Sequence, residues 1–145
     1  MSLRNWLRKG WLVEHATSRS EILDLLNVVE RDIQDSQVRG LSADWRLNIA
    51  YNAALQSATI ALYASGYRAA HEAHHYRVIQ SLRFTIQADR EIIGQFDQFR
   101  KKRNKSDYER SGETSDVEVK EILGLAIWLR DAVMEWLNKN YPELN

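Results

Sequence analysis

Apolar residues recur at helical spacing along most of this chain, and few residues interrupt them. Leu3 to Lys9 predicts a short first helix, ended near Gly10. Ile22, Leu25, Leu26, Val29 and Ile33 then repeat every three or four positions up to about Asp35, the pattern of an amphipathic helix. Ser18 and Glu21 stand ahead of that run as a capping-box pair, each side chain placed to satisfy the other's backbone N–H. Gly40 marks a break. Ser42 or Asp44 opens a third helix that runs to Gly66, a residue suited to a left-handed C-cap. This stretch is rich in alanine and apolar on most sides, so it is expected at the centre. A polar row crosses it at Asn48, Asn52, Gln56 and Thr59, with Tyr51 and Asn52 the first members to test.

A shorter helix is predicted from about Ala70 to Arg83, with Val78, Ile79 and Leu82 inward, and another from about Ala88 to Asn104. Glu109 to Thr114 reads as a polar loop. Ser115 and Glu118 form a second capping-box pair, opening a last helix whose stripe is Val119, Ile122, Ala126, Leu129, Val133 and Trp136. No segment alternates at strand period between turn residues, so no sheet is expected. The expected fold is all-α: an antiparallel up-and-down helical bundle of four main helices plus short extra helices, one domain over 1–145.

Composition narrows the classes. A chain of 145 residues buries a real core without disulfides or metal staples. Its single proline and six glycines leave long helices uninterrupted. Formal net charge is zero, so no global field holds nucleic acid and any such binding comes from a local patch. The absence of cysteine removes disulfides, thiol chemistry and Cys-based zinc sites, and suits a reducing, cytoplasmic setting. Arg4, Arg8 and Lys9 break every apolar run near the N-terminus, unlike a signal peptide. No stretch reaches the ~18 apolar residues of a membrane span.

Charge, amides and an aromatic hydroxyl crowd together at Phe99-Arg100-Lys101-Lys102-Arg103-Asn104-Lys105-Ser106-Asp107-Tyr108. The inward row Ile92, Phe96, Phe99 continues to Arg103, an apolar register that an arginine occupies when it snorkels, pairs or lines a cleft. Arg100 lies one turn earlier, while Lys101 and Lys102 point outward. Two readings of Arg103 stay open. It forms an ion pair, with Asp107 or a carboxylate of a neighbouring helix, at a helix end where the dipole favours cations. Or its fork binds a phosphate in bidentate fashion, with Asn104 orienting it, Tyr108 stacking or donating a proton, and Arg100 and Asn52 adding contacts.

Several stretches together resemble the HEPN superfamily (higher eukaryotes and prokaryotes nucleotide-binding domain). They are Asp44-Trp45 through Ala50-Tyr51-Asn52-Ala53-Ala54-Leu55, then Gly66-Tyr67-Arg68, His74-His75 at the start of a short helix, and Arg103-Asn104 with Tyr108. The resemblance covers Ser18 to Leu137. It implies a helical bundle that dimerises, often encoded beside a small nucleotidyltransferase, with a nucleotide- or RNA-related role in a toxin–antitoxin or similar two-gene module. Many such domains are metal-independent ribonucleases that use an arginine followed, after four to six residues, by a histidine. Here that position is Tyr108, and no histidine follows His75. Tyrosine, with a usual pKa of about 10, is a poor general base. The change leaves phosphate binding at Arg103 in place and questions cleavage. The rival reading is a non-catalytic dimerisation or protein-interaction module.

His71-Glu72-Ala73-His74-His75 contains the letters of a helical zinc motif. On a helix His71 lies one turn from His74 and His75, so two imidazoles can share a metal with Glu72 nearby. No third histidine ligand follows, His15 being the other one, so a metal hydrolase is the remote option and no metal or cofactor is expected. The resemblance implies a plainer role, contact with neighbouring helices or the polar groove. Trp128 and Trp136 share a face of the last helix, expected as core or dimer contacts, and Trp6 and Trp11 pack the N-terminal segment onto the helices or present it to a partner.

Overall fold

The computed structural model describes residues 1–106 and 114–145, with side chains over 1–103 and 114–145. Six α-helices account for most of these residues: α1 (Leu3–Arg8), α2 (Arg19–Asp35), α3 (Ala43–Ala64), α4 (His74–Ser81), α5 (Arg90–Ser106) and α6 (Asp116–Asn140), with a final 3-10 turn at Pro142–Leu144. No described helix is long and apolar enough to cross a membrane.

Capping residues set the boundaries. The Ser42 hydroxyl accepts from Trp45 N–H at 3.2 Å and opens α3. At its other end Gly66 has φ +98°, the left-handed turn that glycine adopts without a Cβ clash. Ser115 and Glu118 form the full reciprocal box at α6. The Ser18–Glu21 pair makes only half of one. Ser18 accepts from Glu21 N–H, but the Glu21 carboxylate goes to His15 Nε2 and the Thr17 hydroxyl, each at 2.7 Å. Those stronger partners hold its pKa below the usual carboxylate value.

Helix α3 sits at the centre, packed most extensively against α6 and α2 and also touching α4 and α5. Its small residues Ala50, Ala53, Ala54, Ala58 and Ala61 are fully buried, which lets neighbouring backbones approach on several sides. Ile22, Val29 and Ile33 of α2 and Val119, Ile122, Ala126, Leu129 and Val133 of α6 close one contiguous core around it.

Four expectations are corrected. A sheet does exist: β1 (Leu12–Glu14) pairs antiparallel with β2 (Tyr67–Ala69), Val13 opposite Arg68. Strands of three residues are too short to display a period, and the pairing joins segments far apart in the chain. The helix expected from Ala70 begins only at His74, because Ala73 takes φ +51° in the left-handed region and breaks the helical path. Ile93 is the buried residue at the start of α5, and Ile92 is only partly buried against the core. On α6 the buried stripe ends at Leu137, and the bulkier Trp136 stays half-buried against Tyr141, ring centroids 5.4 Å apart.

Candidate functional site

Three helices bring the basic segment, an imidazole and two phenols together. Tyr51 comes from the middle of α3 and is 1% exposed. The first turn of α4 fans out four side chains: His75 faces in, His74 and Tyr76 are exposed, and Arg77 turns toward the N-terminal segment. From α5, Phe96 packs edge-on against Tyr51 at 5.7 Å, and Arg100 and Arg103 follow at one-turn spacing. Asp89 caps this helix by accepting from Ile92 N–H at 2.9 Å.

The Arg103 guanidinium lies over the Tyr51 ring, 5.3 Å from its centroid. That is a cation–π distance, and it answers the problem of an arginine in an apolar register: the aromatic face takes the charge where water is scarce. Arg100 donates from Nε to Asp97 Oδ1 at 2.6 Å and lies 5.4 Å from the Tyr76 ring centroid. Asp97 also meets Lys101 Nζ at 3.6 Å, so one carboxylate offsets part of a three-cation cluster. Lys102, expected outward, instead reaches Glu118 Oε2 on α6 at 2.7 Å. The lysine stem is long enough to cross to the capping carboxylate, and that bond, with those from Ser115, lowers the Glu118 pKa.

His75 is the imidazole at this site. Its Nδ1 stands 3.3 Å from the Tyr51 hydroxyl. Burial lowers its pKa first, then the positive charges of Arg103, His74 and Arg100. Burial likewise pushes the Tyr51 phenol well above its usual value, partly opposed by the two arginines. At neutral pH the pair is therefore a protonated phenol beside a neutral imidazole, able to exchange a hydrogen bond in either tautomer. Ala73, His74, His75, Tyr76 and Arg100 line a shallow open pocket of about 480 Å³. A phosphate there would meet the Arg100 guanidinium and the imidazoles of His74 and His75.

The expected residues divide. Arg100 and Arg103 lie at this site with Tyr51. Asn52, next along α3, turns to α2, donating to Asp32 Oδ2 at 2.7 Å and accepting from Gln56 at 3.2 Å. The polar row on α3 is thus bordered by α2 through Asp32. Tyr108 and Asp107 lie outside the described residues, as does the side chain of Asn104. His71 precedes the helix, so it does not share a helical face with His74 and His75. Among the described residues no three His, Asp or Glu side chains converge to hold a metal ion.

His75 and Tyr76 were not legible as neighbours of Arg103 and Arg100 respectively. The available signal was the run of four polar and aromatic residues, His74 to Arg77, ahead of the apolar Val78-Ile79 pair. A larger hollow of about 520 Å³ between Trp128, Trp136 and residues 85–89 presents Asp89 and Glu135 against the single cation Lys139, a poor anion site. Comparison with protein-family models, with curated proteins and with solved structures finds no match to this chain.

Proposed function

We propose that this chain is a HEPN-like antiparallel helical bundle, acting as a homodimer, that binds the phosphate of a nucleotide or RNA at Arg103. Its role is then that of one half of a toxin–antitoxin or nucleotidyltransferase-associated two-gene module. The observation carrying the reading is the seating of Arg100 over the Tyr76 ring and Arg103 over the Tyr51 ring, both close enough to the half-buried His75 to lower its pKa. Arginine forks hold phosphate oxygens, and a neutral imidazole accepts a proton near pH 7. The resemblance expects a histidine where this chain has Tyr108, and in this reading His75 of α4 takes that part.

Incubation of the protein with RNA, beside Arg103→Ala and His75→Gln, tests this. Cleavage lost in both variants supports a ribonuclease. Binding lost in Arg103→Ala without cleavage by either form supports a phosphate-binding module. No binding and no cleavage by the parent protein overturns the reading.

A second reading, a non-catalytic dimerisation module, is favoured by a separate observation. Trp45 and Val117 are more than 60% exposed, and the neighbouring Arg46 and Asp116 are 3.5 Å apart across the starts of α3 and α6. Sedimentation of Trp45→Ser decides whether this apolar pair holds two copies together.

A further inference from the structure

We infer that the phosphate pocket is one end of a track for single-stranded nucleic acid, which runs across α4 to the segment before β1. This rests on the phosphate reading above and names the ligand class.

Cations and rings alternate along that surface. Arg100 lies 5.4 Å from the Tyr76 ring centroid, and on the same ring Arg77 lies at 5.6 Å. Arg77 then sits 3.6 Å over the Trp11 ring, and Lys9 approaches that ring at 4.6 Å. The order is Arg100, Tyr76, Arg77, Trp11, Lys9, drawn from three elements that the chain brings together only by folding. The small sheet is what places Trp11 here: Ala70 N–H donates to the Trp11 carbonyl at 2.9 Å, just beyond the Leu12–Ala69 pair. Beneath it, Trp6 is buried edge-on against Trp11 at 5.8 Å and Phe84 at 5.2 Å, a rigid base for the half-buried Trp11 ring.

A purely structural role accounts for Trp6 and for the Arg77–Trp11 stack. It does not account for Tyr76, which is 37% exposed and flanked by two guanidiniums. A ring presented to water between cations is a stacking platform for a base, with phosphate donors on either side. The alternation of ring and cation matches the alternation of base and phosphate along a strand. A duplex keeps its bases stacked inside and offers no free face to Tyr76. The chain's zero net charge makes the stripe a local excess, and Asp97, an acidic residue at one end of it, is already bonded to Arg100. Nothing in this chemistry reads a sugar, so RNA and DNA strands share the recognition.

Fluorescence anisotropy with labelled oligouridine and oligothymidine decamers, each also annealed to its complement, tests the track, with uridine monophosphate as competitor for the pocket alone. The decamers are expected to bind more tightly than the mononucleotide, and the duplexes more weakly than either single strand. Tyr76→Ala is expected to weaken decamer binding about tenfold, the loss of one stacked base, while Tyr76→Phe retains it. Lys9→Gln, at an exposed position, is expected to reduce the slope of log K against log salt by about 0.7. Equal affinity for decamer and mononucleotide, equal binding of duplex, or an unchanged Tyr76→Ala overturns the track. If Arg103→Ala also abolishes mononucleotide binding, the pocket stands and only the track falls. If Arg103→Ala leaves mononucleotide binding intact, the phosphate reading fails and the track falls with it.

Discussion

The Tyr51 hydroxyl and His75 Nδ1 stand 3.3 Å apart, a buried phenol on α3 meeting a half-buried imidazole in the first turn of α4. Neither group is ionised at neutral pH, because burial disfavours the charged form of both and the arginines beside His75 repel a proton there. The pair is thus a polar contact between helices that carries no charge of its own, next to two guanidiniums that do.

That environment predicts how stability depends on pH. The unfolded chain protonates His75 near its ordinary pKa of 6.5, whereas the folded chain protonates it only at lower pH. Between those values the unfolded state binds more protons, so stability falls as pH drops through this window. NMR titration of the imidazole C–H signals is expected to place His75 below 6.5. Arg103→Ala is expected to move it upward, though not fully, since burial is the larger cause. His75→Gln is expected to flatten the fall of melting temperature below pH 6.5. A His75 that titrates at or above its ordinary value contradicts the site's electrostatics.

Glu118 joins two structural duties, and they separate by substitution. One carboxylate oxygen accepts from Ser115 N–H at 3.1 Å, and the other meets Lys102 Nζ at 2.7 Å. Glu118→Gln keeps the capping geometry and loses the charge pair, a partly exposed one worth under about 1 kcal/mol. Ser115→Ala removes the hydroxyl that accepts from Glu118 N–H and is expected to cost about 1 kcal/mol. Because the Glu118 pKa is lowered in the fold, its contribution is present above 4.5 and is lost as pH falls through the folded value. Urea melts of the two variants at pH 7 and pH 4 check the order. A larger loss for Glu118→Gln than for Ser115→Ala reverses it.

The helices were legible because caps and breakers mark them. Ser42, Gly66 and the Ser115–Glu118 pair bound α3 and α6 in the chain as they do in the fold, and the apolar repeats between them are long. The small sheet was not legible, since three residues carry no period and the partner strand lies beyond two helices. Ala73 is a similar case: alanine favours helix, and only the tertiary setting holds it at φ +51°. Arg103 was singled out by its register and by the family resemblance. Its neighbours were hidden because the family pattern places the imidazole after Arg103 in the chain, while folding brings up His75, which precedes it. Asn52 shows the converse. It was expected as an added contact to a phosphate, and the structure turns it to the buried Asp32.

Asn52 therefore separates stability from ligand binding. Asp32 is 5% exposed, and its Oδ2 accepts from the Asn52 amide at 2.7 Å. Asn52→Ala takes that donor from a buried carboxylate, a loss of about 1–3 kcal/mol. Thermal unfolding is expected to report this loss, while phosphate affinity below the melting transition stays unchanged. Lost phosphate affinity with unaltered stability instead assigns Asn52 to the site.

Two glycines give opposite signs for the same substitution. A Cβ added at Gly94, inside α5, meets nothing within 4 Å, and the position has ordinary helical backbone. Gly94→Ala is expected to stabilise the protein by about 0.5–1 kcal/mol, since alanine has less backbone freedom to lose on folding. A Cβ at Gly66 also meets nothing within 4 Å, yet φ is +98°. Space is not the constraint there; the left-handed backbone is, and an alanine side chain is expected to cost about 1–2 kcal/mol. Gly66 also accepts from His15 N–H at 2.9 Å, directly beyond the Glu14–Tyr67 pair. Strain at this residue therefore loosens the sheet that seats Trp11, and Gly66→Ala is expected to speed amide exchange at His15 and Ala70 more than in α6. Equal effects of the two substitutions on melting temperature contradict the assignment of the turn as the constraint.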